Sequence, residues 1–189
     1  MEYTKEDCIR DTKEHISKVR EFMMVVVNQL IQRALVHDKS KLESPEVEIF
    51  TEYTPKLKHS TYGSDEYKGF LKGMGEALRH HYECNSHHPE HYKKFVCDIC
   101  FKEYKVAQPN CCEVCLNGTF TEESDITQMD LLDIVEMFCD WKAATMRHTD
   151  GDIRKSIEFN KKRFKYSDDL EQIFMNTAKL FDANYEQNV

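Results

Sequence analysis

Apolar residues recur at helical spacing along most of the chain, and the breaks between runs set the expected elements. From about Lys5 to Val27, Cys8, His15, Val19, Phe22 and Val26 fall at steps of three, four or seven and line one face of a predicted helix. His15 lies on that inward face. Were the helix to continue to His37, the two histidines would stand about 33 Å apart at 1.5 Å per residue, too far to share a metal. Asn28, a residue type that tolerates the left-handed conformation ending many helices, is the expected break. Leu30, Ile31, Ala34 and Leu35 then form a second helix that delivers His37 and Asp38 at its C-terminal end. Ser44-Pro45-Glu46 reads as a helix start with Ser44 as N-cap, with Val47 and Phe50 as the apolar contacts of a short helix. The stretch from Thr54 to Asp65, with Pro55 and Gly63, reads as a loop able to cover a pocket, with Tyr62 a substrate contact at its tip.

Ser64 caps the next predicted helix, in which Tyr67, Phe70, Leu71, Met74, Ala77, Leu78 and His81 share a stripe. Pro89 breaks the pattern between Asn85 and Tyr92. Ile126 to Arg147 reads as one strong helix carrying Asp133 and Asp140 on an otherwise apolar stripe, so both acids need partners. Ile153 to Tyr166 and Leu170 to Asn184 are two closing helices, with Ile157, Phe164, Ile173, Phe174 and Leu180 as packing residues. No run of alternating residues outside the cysteine-rich stretch argues for strands. The expected fold is all-α: one helical domain made of residues 1–94 and 121–189, interrupted by an insertion at 95–120.

Composition changes this picture in two ways. At 189 residues the chain can bury a real core, and its net charge of −8 argues against a general nucleic-acid binder, whose affinity comes from neutralising phosphates. No apolar run approaches the roughly 20 residues that span a bilayer, and Met1 to Arg10 is charged rather than signal-like, so a soluble cytoplasmic protein is expected. Of eight cysteines, five lie between Cys97 and Cys115. Cys97-Asp-Ile-Cys100 and Cys112-Glu-Val-Cys115 are two CxxC knuckles, the spacing at which four thiolates hold a structural Zn ion. Cys111 is an alternative to Cys112. Such a closed site leaves no open position for catalysis, so the insertion is expected to cover a pocket or to bind a protein or nucleic-acid partner.

The second constellation centres on His37-Asp38-Lys39-Ser40-Lys41. Adjacent imidazole and carboxylate groups can reach one divalent cation where the backbone bends, and a lysine three residues on can face a bound anion. Further ligand types stand at His15, at His80, His81, His87, His88 and His91, and at Asp133 and Asp140. Lys41, Lys142 or Arg147 could instead neutralise the two late acids without any metal.

The order of His15, His37-Asp38, a mid-chain histidine cluster and a late aspartate resembles the HD superfamily of metal-dependent phosphohydrolases, most closely a poorly characterised branch of phage and bacterial genomes. His37-Asp38-Lys39-Ser40-Lys41 resembles that family's HDxxK variant, and Cys139-Asp140-Trp141-Lys142-Ala143-Ala144 its late alanine-aspartate segment. The resemblance implies an HD-like helical bundle with His15, His37, Asp38 and Asp140 holding a divalent metal, Mn, Fe, Co, Ni or Zn. It implies Lys41 as a phosphate ligand and His81 and His91 at a second metal or the leaving group, with His80, His87, His88 and Asp133 as further possibilities. A nucleotide or another small phosphate ester is the implied substrate. The competing expectation is a non-catalytic zinc protein whose cysteine module binds a partner on a helical scaffold.

Overall fold

The computed structural model describes residues 2–61, 64–105, 107–147 and 151–185. It is mostly helical with one small sheet, and divides into two units, residues 1–37 and 38–189. Among the described residues no helix is long and apolar enough to cross a membrane.

The first unit is one helix, α1 (Lys5–Val36). Thr4 opens it with a capping box: its hydroxyl accepts from the Asp7 backbone N–H, and the Asp7 carboxylate accepts from that of Thr4. No break occurs at Asn28, because asparagine inside a helix costs well under 1 kcal/mol and the good helix formers after it, Gln29, Leu30, Gln32, Arg33, Ala34 and Leu35, carry the helix on. The stripe expected to face inward is exposed, with Val19, Phe22 and Val26 between 42% and 66% accessible. A unit made of one helix has no second layer of its own to bury a stripe against.

The second unit begins with a turn of 3₁₀ helix, Lys39–Leu42, and continues through α2 (Glu46–His59), α3 (Asp65–Gly73) and α4 (Gly75–Cys84). Ser44 does not cap α2. The helix starts at Glu46 and runs through Pro55 to His59, so the first half of the expected loop is helical; Tyr62 lies outside the described residues. Ser64 does cap α3, accepting from the Tyr67 N–H, and Met74 separates α3 from α4 where one helix was expected.

A three-stranded antiparallel sheet of order β2-β1-β3 follows: β1 (Lys93–Cys97), β2 (Glu103–Tyr104) and β3 (Phe120–Ser124). The chain is therefore not purely α. The sheet carries the cysteine stretch within the second unit. Next, α5 (Leu131–Thr145) begins five residues later than expected, because Asp130 and Asp133 form a capping box there. Then come α6 (Ile153–Phe164) and α7 (Asp168–Tyr185).

The apolar core lies among α5, α6 and α7. Met137, Phe138, Ile153, Ile157, Phe164, Tyr166, Phe174 and Ala178 are buried there, with the Phe138 and Phe174 rings stacked at 5.1 Å. Each fully buried large side chain contributes about 1.5–3 kcal/mol. Ile173 and Leu180, expected to pack, point outward instead. Within the same unit α2 and α4 pack together and set up the buried His81.

Candidate metal centres and cavity

Asp38 sits at the entrance to the 3₁₀ turn with φ of 54°, a left-handed conformation that aspartate accepts better than most residues. Residues three apart eclipse in a 3₁₀ turn, so Lys41 returns over Asp38 and its Nζ lies 2.5 Å from Oδ2. Asn85, which ends α4, ties this turn to the helix by donating to Ser40 Oγ at 2.9 Å.

His81 comes from the buried face of α4 and is 1% exposed. His87 and His88 come from the loop after it. Asp133 of α5 fixes that loop, accepting from the Ser86 hydroxyl at 2.6 Å and the Tyr92 hydroxyl at 2.7 Å. Burial, then the bond to Asp133, pushes the Tyr92 phenol up to about 12. The partners that the buried Asp133 needs are thus two hydroxyls and its own helix cap, and it is not among the residues grouped around Asp38.

Asp38, His81, His87 and His88 converge. The Nε2 atoms of His81 and His87 lie 3.4 and 3.5 Å from Asp38 Oδ1, and His88 Nε2 lies 2.8 Å from His81 Nε2. Ligands around a tetrahedral ion with bonds of about 2.1 Å stand about 3.4 Å apart, so the donor set fits a first-row divalent cation with modest adjustment. Protonation states agree with this. Burial, then the Lys41 charge, pulls His81 down to about 4; burial, then the neighbouring His87 and His81, pulls His88 down to about 2. Both rings are neutral at pH 7, with lone pairs available to a metal.

Behind these histidines stand carboxylates. His81 Nδ1 lies 2.9 Å from Glu46 Oε2, His80 Nδ1 lies 2.7 Å from Glu46 Oε1, and His87 Nδ1 lies 3.2 Å from Glu136 Oε1. Nothing in the sequence marks Glu46, since an acid in the first turn of a helix reads as a favourable dipole contact. Glu136 lies on α5 between Asp133 and Asp140, and the sequence alone does not pair it with a histidine.

A cavity of about 600 Å³ opens beside the cluster, walled by residues that include Lys41, Phe50, His81, His88, Asp140 and Trp141, and also Lys155 and Arg163. Its volume is that of a small-molecule site. Asp140 also acts on His88 by its charge.

His15, His80 and His91 fall outside the Asp38 group. His15 is exposed on α1, and the continuous helix holds it about 33 Å from His37, so those two cannot share one ion. His37 caps the end of α1. His80 turns to Glu46, and His91 turns its Nδ1 to the Tyr82 carbonyl at 2.8 Å; neither joins the Asp38 group.

The second centre is local. Cys97, Cys100, Cys112 and Cys115 form one group, with sulfurs 3.4 Å apart in the pairs Cys97–Cys115 and Cys100–Cys112. Both knuckles turn alike: the Phe101 N–H donates to the Cys97 carbonyl and the Leu116 N–H to the Cys112 carbonyl, and Phe101 and Leu116 have φ of 60° and 59°. The Tyr104 hydroxyl, donating to Cys112 Sγ, is the main cause that lowers this thiol to about 6. Cys111 is exposed and outside the group, so Cys112 is the fourth member. These four could hold a metal ion.

No curated protein and no solved structure matches the chain. A family model described as a family of unknown function, DUF5662, matches residues 4–180, and the chain belongs to that family.

Proposed function

We propose that the protein is a metal-dependent phosphohydrolase of HD-like character that acts on a small phosphate ester such as a nucleotide. One observation carries the reading: an aspartate and three imidazoles from three segments meet beside a cavity of small-molecule size, whose wall includes His81, His88 and Lys41. Asp38, His81, His87 and His88 would hold the ion, and their mixed O and N character suits Mn, Fe, Co, Ni or Zn. A bound divalent ion supplies an acidified water and polarises a phosphoryl oxygen.

The chain's own groups do the rest. Lys41 Nζ, held over Asp38, offers positive charge to a phosphate entering the cavity. Phe50 and Trp141 give apolar walls that exclude water around it. Asp140 faces the same space as a proton acceptor or further ligand, and Lys155 and Arg163 meet further negative charge on the substrate. In the cysteine module the four sulfurs would hold a structural Zn ion. The test is turnover of a panel of phosphomonoesters, phosphodiesters and nucleotides by metal-reconstituted protein. Hydrolysis lost in Lys41→Ala with metal retained supports the reading, whereas no turnover of any member with any of the five metals counts against it.

A second reading has its own observation. Ile99, Phe101, Val114 and Leu116, two from each knuckle, are 64–77% exposed, the surface expected of a non-catalytic module that docks a protein. Normal turnover after these four are replaced by Ser separates that role from catalysis.

A further inference from the structure

We infer that Glu46 is a positioning residue for the proposed metal centre, holding the His81 ring in the tautomer that turns the Nε2 lone pair toward Asp38. The inference rests on the metal reading above for its purpose, but its structural content stands on hydrogen bonding alone.

Glu46 is fully buried, and its two oxygens are divided between two rings: Oε1 stands 2.7 Å from His80 Nδ1 and Oε2 2.9 Å from His81 Nδ1. An ionised carboxylate only accepts, so each Nδ1 must carry the hydrogen.

Two other polar groups crowd His81 Nδ1, and neither competes. Asn85 Nδ2 lies 3.1 Å away, but its two hydrogens are directed to Ser40 Oγ at 2.9 Å and to the His81 carbonyl at 2.8 Å. Ser40 Oγ lies 3.4 Å away, at the long limit for a hydrogen bond and well beyond the 2.9 Å contact to Glu46 Oε2. The Nδ1 hydrogen therefore goes to Glu46, and Nε2 is left bare on the side of Asp38 and His88, 3.4 and 2.8 Å away. The same carboxylate holds His80, the neighbour in sequence, away from the centre. A carboxylate behind a ligating imidazole sets both ring orientation and basicity, and its loss lowers metal affinity roughly 10- to 100-fold.

The experiment reads ring tautomers directly, by ¹⁵N–¹H correlation spectra of the histidine side chains in metal-free protein, and follows them with Co(II) titrations. Wild type should show His81 as the Nδ1–H form. Glu46→Met, close in volume but unable to accept, should move His81 toward the Nε2–H form and weaken Co(II) binding roughly 10- to 100-fold. His80→Ala should leave both within threefold of wild type, because His81 keeps its own oxygen. An Nε2–H tautomer in wild type overturns the inference whether or not Glu46→Met folds, as does unchanged Co(II) affinity in folded Glu46→Met. Wild-type protein with the Nδ1–H tautomer and no Co(II) binding in the body would instead sink the metal reading and leave the Glu46 hold in place.

Discussion

Two regions of this molecule each bring four ligand-type side chains together, and they do it in opposite ways. The cysteine group is made within residues 97–115, by two copies of one turn joined through a small sheet. The Asp38 group is gathered from a 3₁₀ turn, the middle of α4 and the following loop, each held by a different partner: Lys41, Glu46 and Asp133. The cysteine stretch has little apolar interior of its own, so metal binding there would be folding energy. The Asp38 group sits on packed helices, so an ion there would add affinity and chemistry to a fold that stands without it. Metal removal should therefore have unequal consequences.

The largest effect is expected on the cysteine side. Cys100→Ser with Cys115→Ser should abolish one tightly held Zn and raise hydrogen exchange through residues 93–124, while α5 to α7 keep wild-type protection. Apparent binding energies for structural Zn run to about 10–16 kcal/mol, so the expected effect is loss of the whole module. Full protection of β1 and β3 in the double variant would show that the sheet, rather than a metal, holds the knuckles.

Next in size is His81→Ala. Co(II) or Mn(II) affinity in the body should fall at least about 100-fold, with the helical circular dichroism unchanged and the cysteine-bound Zn retained. Loss of both metals together would mean that the two centres are not independent.

A pH titration of the metal-free protein separates the two regions further. His81 and His88 have folded pKa values near 4 and 2 against an ordinary 6.5, so the unfolded chain binds more protons in between. Stability from these two rings is complete above about pH 6.5 and is lost as the pH falls below it. A tenfold change in proton affinity corresponds to about 1.4 kcal/mol, so a decline of a few kcal/mol should appear in denaturant melts between pH 6.5 and 4. His81→Ala should flatten the decline. A wild-type curve as flat as the variant's would mean the rings are not neutral in the fold.

Smaller still is Asp133→Asn. It weakens the bonds to Ser86 and Tyr92 and should cost about 1–3 kcal/mol with or without metal, since Asp133 acts on the loop rather than on an ion. A destabilisation seen only with metal present would put Asp133 back among the ligands.

The same difference explains what could be read from the sequence. A CxxC pair carries its geometry in its spacing, so the cysteine group was legible to the choice of Cys112 over Cys111, which needed the turn itself. Asp38, Lys41 and the inward His81 were legible from a three-residue step and a helical stripe. His15 was not, because its place in the centre depended on a break at Asn28, and one asparagine followed by good helix formers does not stop a helix. His87 and His88 stood out as ligand types, but their place beside Asp38 is set by Ser86 and Tyr92 binding Asp133 far along the chain. Glu46 was silent, since nothing local shows that a first-turn acid points into a core. The sheet was missed because β3, Phe-Thr-Glu-Glu-Ser, is mostly polar and is held by pairing with β1.

Everything proposed for the helical body depends on Asp38, His81, His87 and His88 binding one divalent ion independently of the cysteines. Metal content after dialysis against Co(II) or Mn(II) decides this, comparing wild type, Asp38→Asn with His88→Ala, and the Cys100→Ser, Cys115→Ser pair. One exchangeable ion per chain is expected in wild type and in the cysteine variant, and none in the Asp38→Asn, His88→Ala variant, which keeps its Zn. An exchangeable ion that survives Asp38→Asn with His88→Ala in a folded protein would show that these four side chains are not its ligands.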